Sequence, residues 1–334
     1  VVAGSGENFR SLQVVDNPGP SDFVIDGSLL NALWKKGKAL RARYDRDLDV
    51  NDLINSLETL QVAIELMDRN QDLYELEGSS LLMSSDFYEI FEAALNDCYT
   101  LYQASDDPEY LATAFLIMEK SKARLLYDTF SGLALSQQVG IPDSITNKEN
   151  AIKSELALHT KDLDQELATT PRDPDKIANL EERVFQSNRA LEQLHEYLAA
   201  AYPAYISSTR SELMSLSTVQ QRLSEEKKGL ISYFWGEVNL YSLVVNRDAI
   251  TIHQQPIDTV QQCLDKYQKH LQDGPQIVDQ AARFQAFTTD AHRLYQLLFH
   301  DIELIGKGQS LIIATDGPLR FIPFEALVEK LPEQ

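Results

Sequence analysis

Nucleophilic catalysis needs a Cys or Ser beside a His that takes its proton, and metal chemistry needs His, Cys, Asp or Glu at ligand spacing. The chain carries two cysteines and six histidines. Cys98 sits in a helical pattern among Ala93, Ala94, Leu95, Tyr99 and Leu101, and Cys263 is also mid-helix with no histidine signature nearby. Both read as core residues, since free cysteine is among the most buried residue types. His292 and His300 fall in one expected helix, too far apart to copy the i, i+4 pairing of a zinc-binding HExxH helix. His159 and His195 fall on the two arms of an expected helical hairpin, positioned to face each other as a polar seam or a lone metal bridge. His253 ends an expected strand and has no visible partner. Neither a phosphate-binding P-loop nor a GxGxxG after a strand is present, so nucleotide binding has no motif. Gly306-Lys307-Gly308 reads as a turn before a strand, and Asp316-Gly317-Pro318 as a β-turn closing one, with a metal or substrate role as the weaker reading. No residue is assigned as catalytic, cofactor-binding or metal-ligating, and no cofactor is expected.

The elements around these residues follow from apolar periodicity. Residues 1–27 form an irregular lead-in punctuated by Gly4, Gly6, Pro18, Gly19 and Pro20. Helical spacing then begins at Leu29 and Leu33, and a second helix opens after Asp49 with Leu53, Leu57, Leu60 and Ile64 on one face. A third helix is expected over Tyr88–Tyr102 and a fourth over Pro108–Phe130, with Asp107 as cap. Asp49-Val50-Asn51-Asp52-Leu53 matches Asp107-Pro108-Glu109-Tyr110-Leu111, and Leu57 and Leu60 then fall opposite Phe115 and Met118. Such recurrence predicts helical repeats over 28–132, longer per unit than the roughly 34 residues of a tetratricopeptide repeat. A long antiparallel hairpin is expected over 145–204, one arm carrying Ile152, Leu156, His159 and Leu163, the other Ile177, Leu180, Val184, Leu191, Leu194 and Leu198. Thr169 to Pro174 supplies its turn, because prolines stop helices.

A change of character near 205–216 marks a domain boundary. Ser217 and Gln220 suit a capping box opening a short helix to Leu223. Strands are expected at 229–235, 240–245, 249–253 and 310–314, with amphipathic helices near 257–272 and 277–300. The fold class is therefore α+β and mostly α.

A formal charge of −21 repels phosphate backbones and anionic membranes, so no nucleic-acid or membrane partner is expected. The densest basic stretch, Lys35 to Arg43, reads as one helix face, as do Glu119, Lys120, Lys122 and Arg124 through i, i+3 and i, i+4 pairing. Two distant cysteines without a CxxC pair fit a reducing compartment. The start at Val1-Val2-Ala3, without Met, reads as a fragment or processed product.

Glu119-Lys-Ser-Lys-Ala-Arg-Leu-Leu126, then Gly140-Ile-Pro-Asp-Ser144 and the long hairpin, resemble the helical run-in of the CHAT family, a caspase-like domain associated with TPR repeats. Gly229 to Gly236 followed by Leu240 to Val245 resembles that domain's opening β-hairpin, and Leu311 to Leu327 is the most specific match. The resemblance spans about residues 110–330 and implies a bacterial, cytoplasmic cysteine peptidase of caspase- or separase-like α/β fold, regulated through its repeats. Residues 214–334 would be the N-terminal part of the CHAT domain. The family's catalytic His and Cys follow the Pro323-Phe324-Glu325-Ala326-Leu327 segment, so no residue of this chain inherits either role. The resemblance thus implies a regulatory, protein-interaction half whose partners are a protein or peptide on the repeats and the missing C-terminal catalytic part. The alternative is a stand-alone TPR-like scaffold without peptidase activity. Trp34, Tyr44, Tyr88 and Tyr99 are candidate partner contacts, each also suited to core packing. An open edge at the last strand is expected to pair with a second copy or another chain.

Overall fold

The computed structural model describes residues 17, 27–69, 80–129, 141–169, 173–202, 213–272, 280–302, 305 and 309–331. Most of the expected lead-in, the middle of the hairpin turn, most of the 205–216 boundary and Gly306-Lys307-Gly308 lie outside them. The chain forms two compact units, Val1–Asp97 with Lys120–Leu213, and Cys98–Glu119 with Met214–Gln334.

Four helices open the described chain: α1 (Gly27–Asp47), α2 (Val50–Arg69), α3 (Ser80–Ser105) and α4 (Pro108–Thr129). The third begins eight residues before the expected Tyr88, because Leu81, Leu82 and Met83 extend a pattern free of helix breakers. Leu33 and Leu40 of α1, and Leu53, Leu57, Leu60 and Ile64 of α2, are buried. The two helices approach closely at Gly37, where a Cβ would meet Leu60 at 2.7 Å.

The turn joining α1 to α2 recurs between α3 and α4. Leu48 and Asp106 both take left-handed backbone, with φ of 56° and 54°. Each donates its N–H to a tyrosine carbonyl four residues back, Tyr44 or Tyr102, at 2.8 Å. Asp49 and Asp107 then accept the N–H two residues on, from Asn51 and Glu109, each at 3.0 Å. The offset is 58 residues (48 to 106), and it aligns buried Leu53, Leu57 and Leu60 with buried Leu111, Phe115 and Met118. It also aligns Leu33 with Phe91 and Leu40 with Cys98, all buried. The two helix pairs are a structural repeat.

Helices α5 (Asp143–Ala168) and α6 (Pro174–Ala201) form the hairpin. Leu156, Val184 and Leu191 make one buried cluster and Ile141, Leu194 and Leu198 a second. Asp173 caps α6 by accepting from the N–H groups of Asp175 and Lys176, and Pro174 starts the helix with its φ already fixed.

The second unit holds α7 (Leu216–Glu226), β1 (Lys228–Trp235), β2 (Asn239–Val245), β3 (Ile250–Pro256), α8 (Ile257–Gln272), α9 (Gln280–Leu298) and β4 (Ser310–Ala314). Ser215, rather than Ser217, caps α7, accepting the Thr218 N–H at 3.3 Å. Gln220 is not drawn into a capping box; its amide donates to the Asn246 carbonyl. The sheet order is β3-β2-β1-β4, antiparallel except for the parallel β1–β4 pair. Strand β3 runs three residues beyond the expected His253, since Gln254, Gln255 and Pro256 keep register with Tyr241, Leu240 and Asn239.

One sheet face, with Ile231, Tyr233, Leu240, Val244, Leu311 and Ile313, packs on Val260, Cys263, Leu264 and Tyr267 of α8 and on Ala291, Leu294 and Leu298 of α9. The spacing of those α8 residues puts them on one helical face. The opposite sheet face buries Ser232, Phe234, Tyr241, Leu243 and Val245, and the Ser232 hydroxyl meets the Glu119 carboxylate of the same unit at 3.5 Å.

Candidate functional site at the open end of the sheet

Strand β4 delivers Asp316 to the carboxyl end of the parallel pair, where α/β sheets place their binding crevices. Asp316 is 2 % exposed. One oxygen accepts the Trp235 N–H at 2.9 Å, and the other accepts the Gly317 N–H at 2.8 Å and Arg320 Nη2 at 2.9 Å. Gly317 has φ +53°, and a Cβ there would lie 2.6 Å from the Trp235 ring, so both backbone and space require glycine. The segment is a 3₁₀ turn over Gly317–Phe321 rather than a simple β-turn, because Asp316 caps it. With three donors on two oxygens, Asp316 is a clamp that ties the end of β1 to the turn after β4. It does not present a free base or a metal ligand. Trp235 lies 81 positions away in sequence, which hid the clamp from local pattern reading.

Beyond the clamp, Leu319 and Ile322 enter the core while Phe321 is 81 % exposed. A further 3₁₀ turn follows at Phe324–Ala326, anchored where Tyr267 Oη donates to the Pro323 carbonyl at 3.0 Å. Among the described residues β4 has β1 as its one strand neighbour, and Ile312 at its centre is 41 % exposed. Among the described residues, the outer edge of the last strand is therefore unpaired and flanked by apolar side chains.

The histidines are distributed among separate partners. His195 Nε2 meets Glu149 Oε1 at 3.3 Å, and Lys153 Nζ meets the same oxygen at 3.0 Å. Burial alone would raise the Glu149 carboxyl, but His195 and Lys153 pull it down to about 2. The seam expected between His159 and His195 is thus a Glu149 seam, and His159 stands ten residues further along α5, about 15 Å of helix. His253 lies within β3, bonds Asp301 Oδ2 at 2.7 Å and stacks on His300 at 4.7 Å. Its partners are some 47 positions distant, so sequence reading missed them. His300 lies past the end of α9, not in one helix with His292. His270 bonds Asp290 at 2.8 Å, and His292 Nδ1 lies 2.9 Å from the Val328 carbonyl. Cys98 and Cys263 are both buried. The described residues hold no catalytic Cys–His pair and no cluster of three or more His, Cys, Asp or Glu able to hold a metal.

The basic stretch of α1 is largely engaged. Arg41 bonds Asp97 and Asp45, Arg43 pairs with Asp52, Arg46 with Asp47, and Lys36 donates to Asn17. Lys120 meets Asp68 at 2.6 Å, a tertiary pair rather than one within its own helix. Trp34, Tyr44, Tyr88 and Tyr99 are half-buried, with Lys38 over the Trp34 ring at 4.4 Å. Among the described residues no helix is long and apolar enough to cross a membrane. No family model matches this chain, and no curated protein does.

Proposed function

We propose that this chain is the regulatory, protein-interaction half of a CHAT-type cysteine peptidase and carries none of its catalytic groups. What supports the reading is the end of the sheet: the Leu311–Leu327 segment, which bears the most specific family likeness, forms an edge strand followed by the three-donor Asp316 clamp. An edge with Ile312 exposed suits a sheet that is continued by further polypeptide, and the peptidase dyad would reside there. The helical repeats would present the surface on which a protein or peptide partner regulates that peptidase.

The test compares the full-length natural protein with this chain in cleavage of an unfolded protein substrate. Cleavage by the full-length protein, lost when its downstream His or Cys is replaced and absent from this chain, is the expected result. Cleavage by this chain alone overturns the proposal. A natural protein without a downstream His and Cys also overturns it and leaves the repeats as a protein-binding scaffold.

A further inference from the structure

We infer that Asp97 carries a proton in the folded chain at mildly acidic pH and that, through Ser56 and Gly37, it forms a proton-linked lock joining α1, α2 and α3. The reason is a count of hydrogens. The Ser56 hydroxyl has one hydrogen to give. It faces two acceptors, the Gly37 carbonyl at 3.0 Å and Asp97 Oδ2 at 2.6 Å. With Asp97 ionised, the single Ser56 hydrogen has to be shared between two acceptors. Each contact is a full two-centre hydrogen bond when Asp97 supplies the second hydrogen, donating from Oδ2 to Ser56 Oγ while Ser56 donates to Gly37. The other carboxyl oxygen still accepts Arg41 Nη1 at 2.8 Å.

The surroundings favour that state. Asp97 and Ser56 are 1 % and 0 % exposed. Asp45 and Arg41 face the carboxyl from α1, Asp45 opposing a second negative charge, and α2 contributes the uncharged Ser56 hydroxyl. Burial pushes the Asp97 carboxyl up to about 6 against the pull of Ser56 and Arg41. The close approach of α1 and α2 at Gly37 is what brings Ser56 within reach of that carbonyl.

The lock is specific to this junction rather than a feature of each repeat. Displaced by 58, Asp97 corresponds to Ala39, Arg41 to Tyr99 and Ser56 to Ala114. On deprotonation the Ser56 hydrogen turns to Asp97, the Gly37 contact is lost, and a buried carboxylate remains on Arg41. The junction therefore loosens as pH rises through the folded value. A carboxyl raised in this way binds its proton about a hundredfold more tightly than when unfolded, and stability falls between about pH 4 and 7.

The test follows aspartate side-chain carboxyl ¹³C resonances of the whole chain from pH 4 to 8, with Asp97 assigned by through-bond correlation to its backbone. A midpoint near 6 is expected, and one in the usual carboxylate range overturns the inference. Urea unfolding of Asp97→Asn gives a second reading, since the amide keeps both a donor and an acceptor. The wild-type chain should lose stability relative to the variant between pH 5 and 7, and parallel profiles overturn the lock.

Discussion

Asp316 and Gly317 concentrate the demands of the sheet's open end. Replacing Asp316 by Ala leaves the Trp235 and Gly317 N–H groups and the Arg320 guanidinium without their acceptor. Loss of a buried charge with several donors costs about 3 kcal/mol, so the urea midpoint of Asp316→Ala should fall accordingly. Arg320→Ala should cost under about 1 kcal/mol, because that side chain is partly solvated. Equal effects in the two variants would argue against the clamp. Sequence reading found the turn here, because Asp-Gly-Pro punctuates any chain. It could not find the clamp, since nothing local to Asp316 names the Trp235 amide. The same holds for His253 with Asp301 and for Asp97 with Ser56: each residue type was visible, and the tertiary fold chose its partner.

At the scale of elements, the repeat was legible because helix starts and apolar faces are local properties. The left-handed residue that ends α1 and α3 was not, since neither Leu48 nor Asp106 is the glycine that usually signals it. Leu48 at φ 56° is 71 % exposed, so its side chain adds little burial while the backbone pays for its conformation. Leu48→Gly should therefore stabilise the chain by about 0.5–1 kcal/mol, read as a raised Tm. A fall in Tm would mean that Leu48 packs more than its exposure implies. The α5–α6 hairpin supplies the opposite lesson: its heptad pattern was legible, its Glu149–His195–Lys153 seam was not. Glu149 sits well below its ordinary value, so its contribution is complete above about pH 4.5 and is lost as pH falls through about 2. Glu149→Gln should cost on the order of 2 kcal/mol at pH 7, allowing for residual solvent screening, and close to nothing near pH 2. A cost that does not change with pH would place its origin in packing.

For the whole molecule, the charge of −21 and the open β4 edge act against each other. Strand β4 reads Ser-Leu-Ile-Ile-Ala, with no Lys, Pro or bulge of the kind that blunts natural edges. Its centre, Ile312, is partly exposed. At low ionic strength the acidic surfaces of two copies repel over a Debye length of about 30 Å at 0.01 M, which shrinks to about 3 Å at 1 M. Added salt removes the repulsion and strengthens apolar burial, while leaving the unpaired edge unchanged. Light scattering of this chain at neutral pH should therefore detect association that grows from 0.01 M to 1 M NaCl. Ile312→Lys puts a charge at the middle of the edge, the device natural sheets use, and should abolish the salt-induced part with little change in Tm. Association that persists in Ile312→Lys would assign self-pairing to another surface. A wild-type chain that stays monomeric across the whole salt range would mean that the edge does not pair copies of this chain. If the variant stays monomeric where the wild-type chain associates, the β4 edge around Ile312 is the surface through which copies of this chain pair.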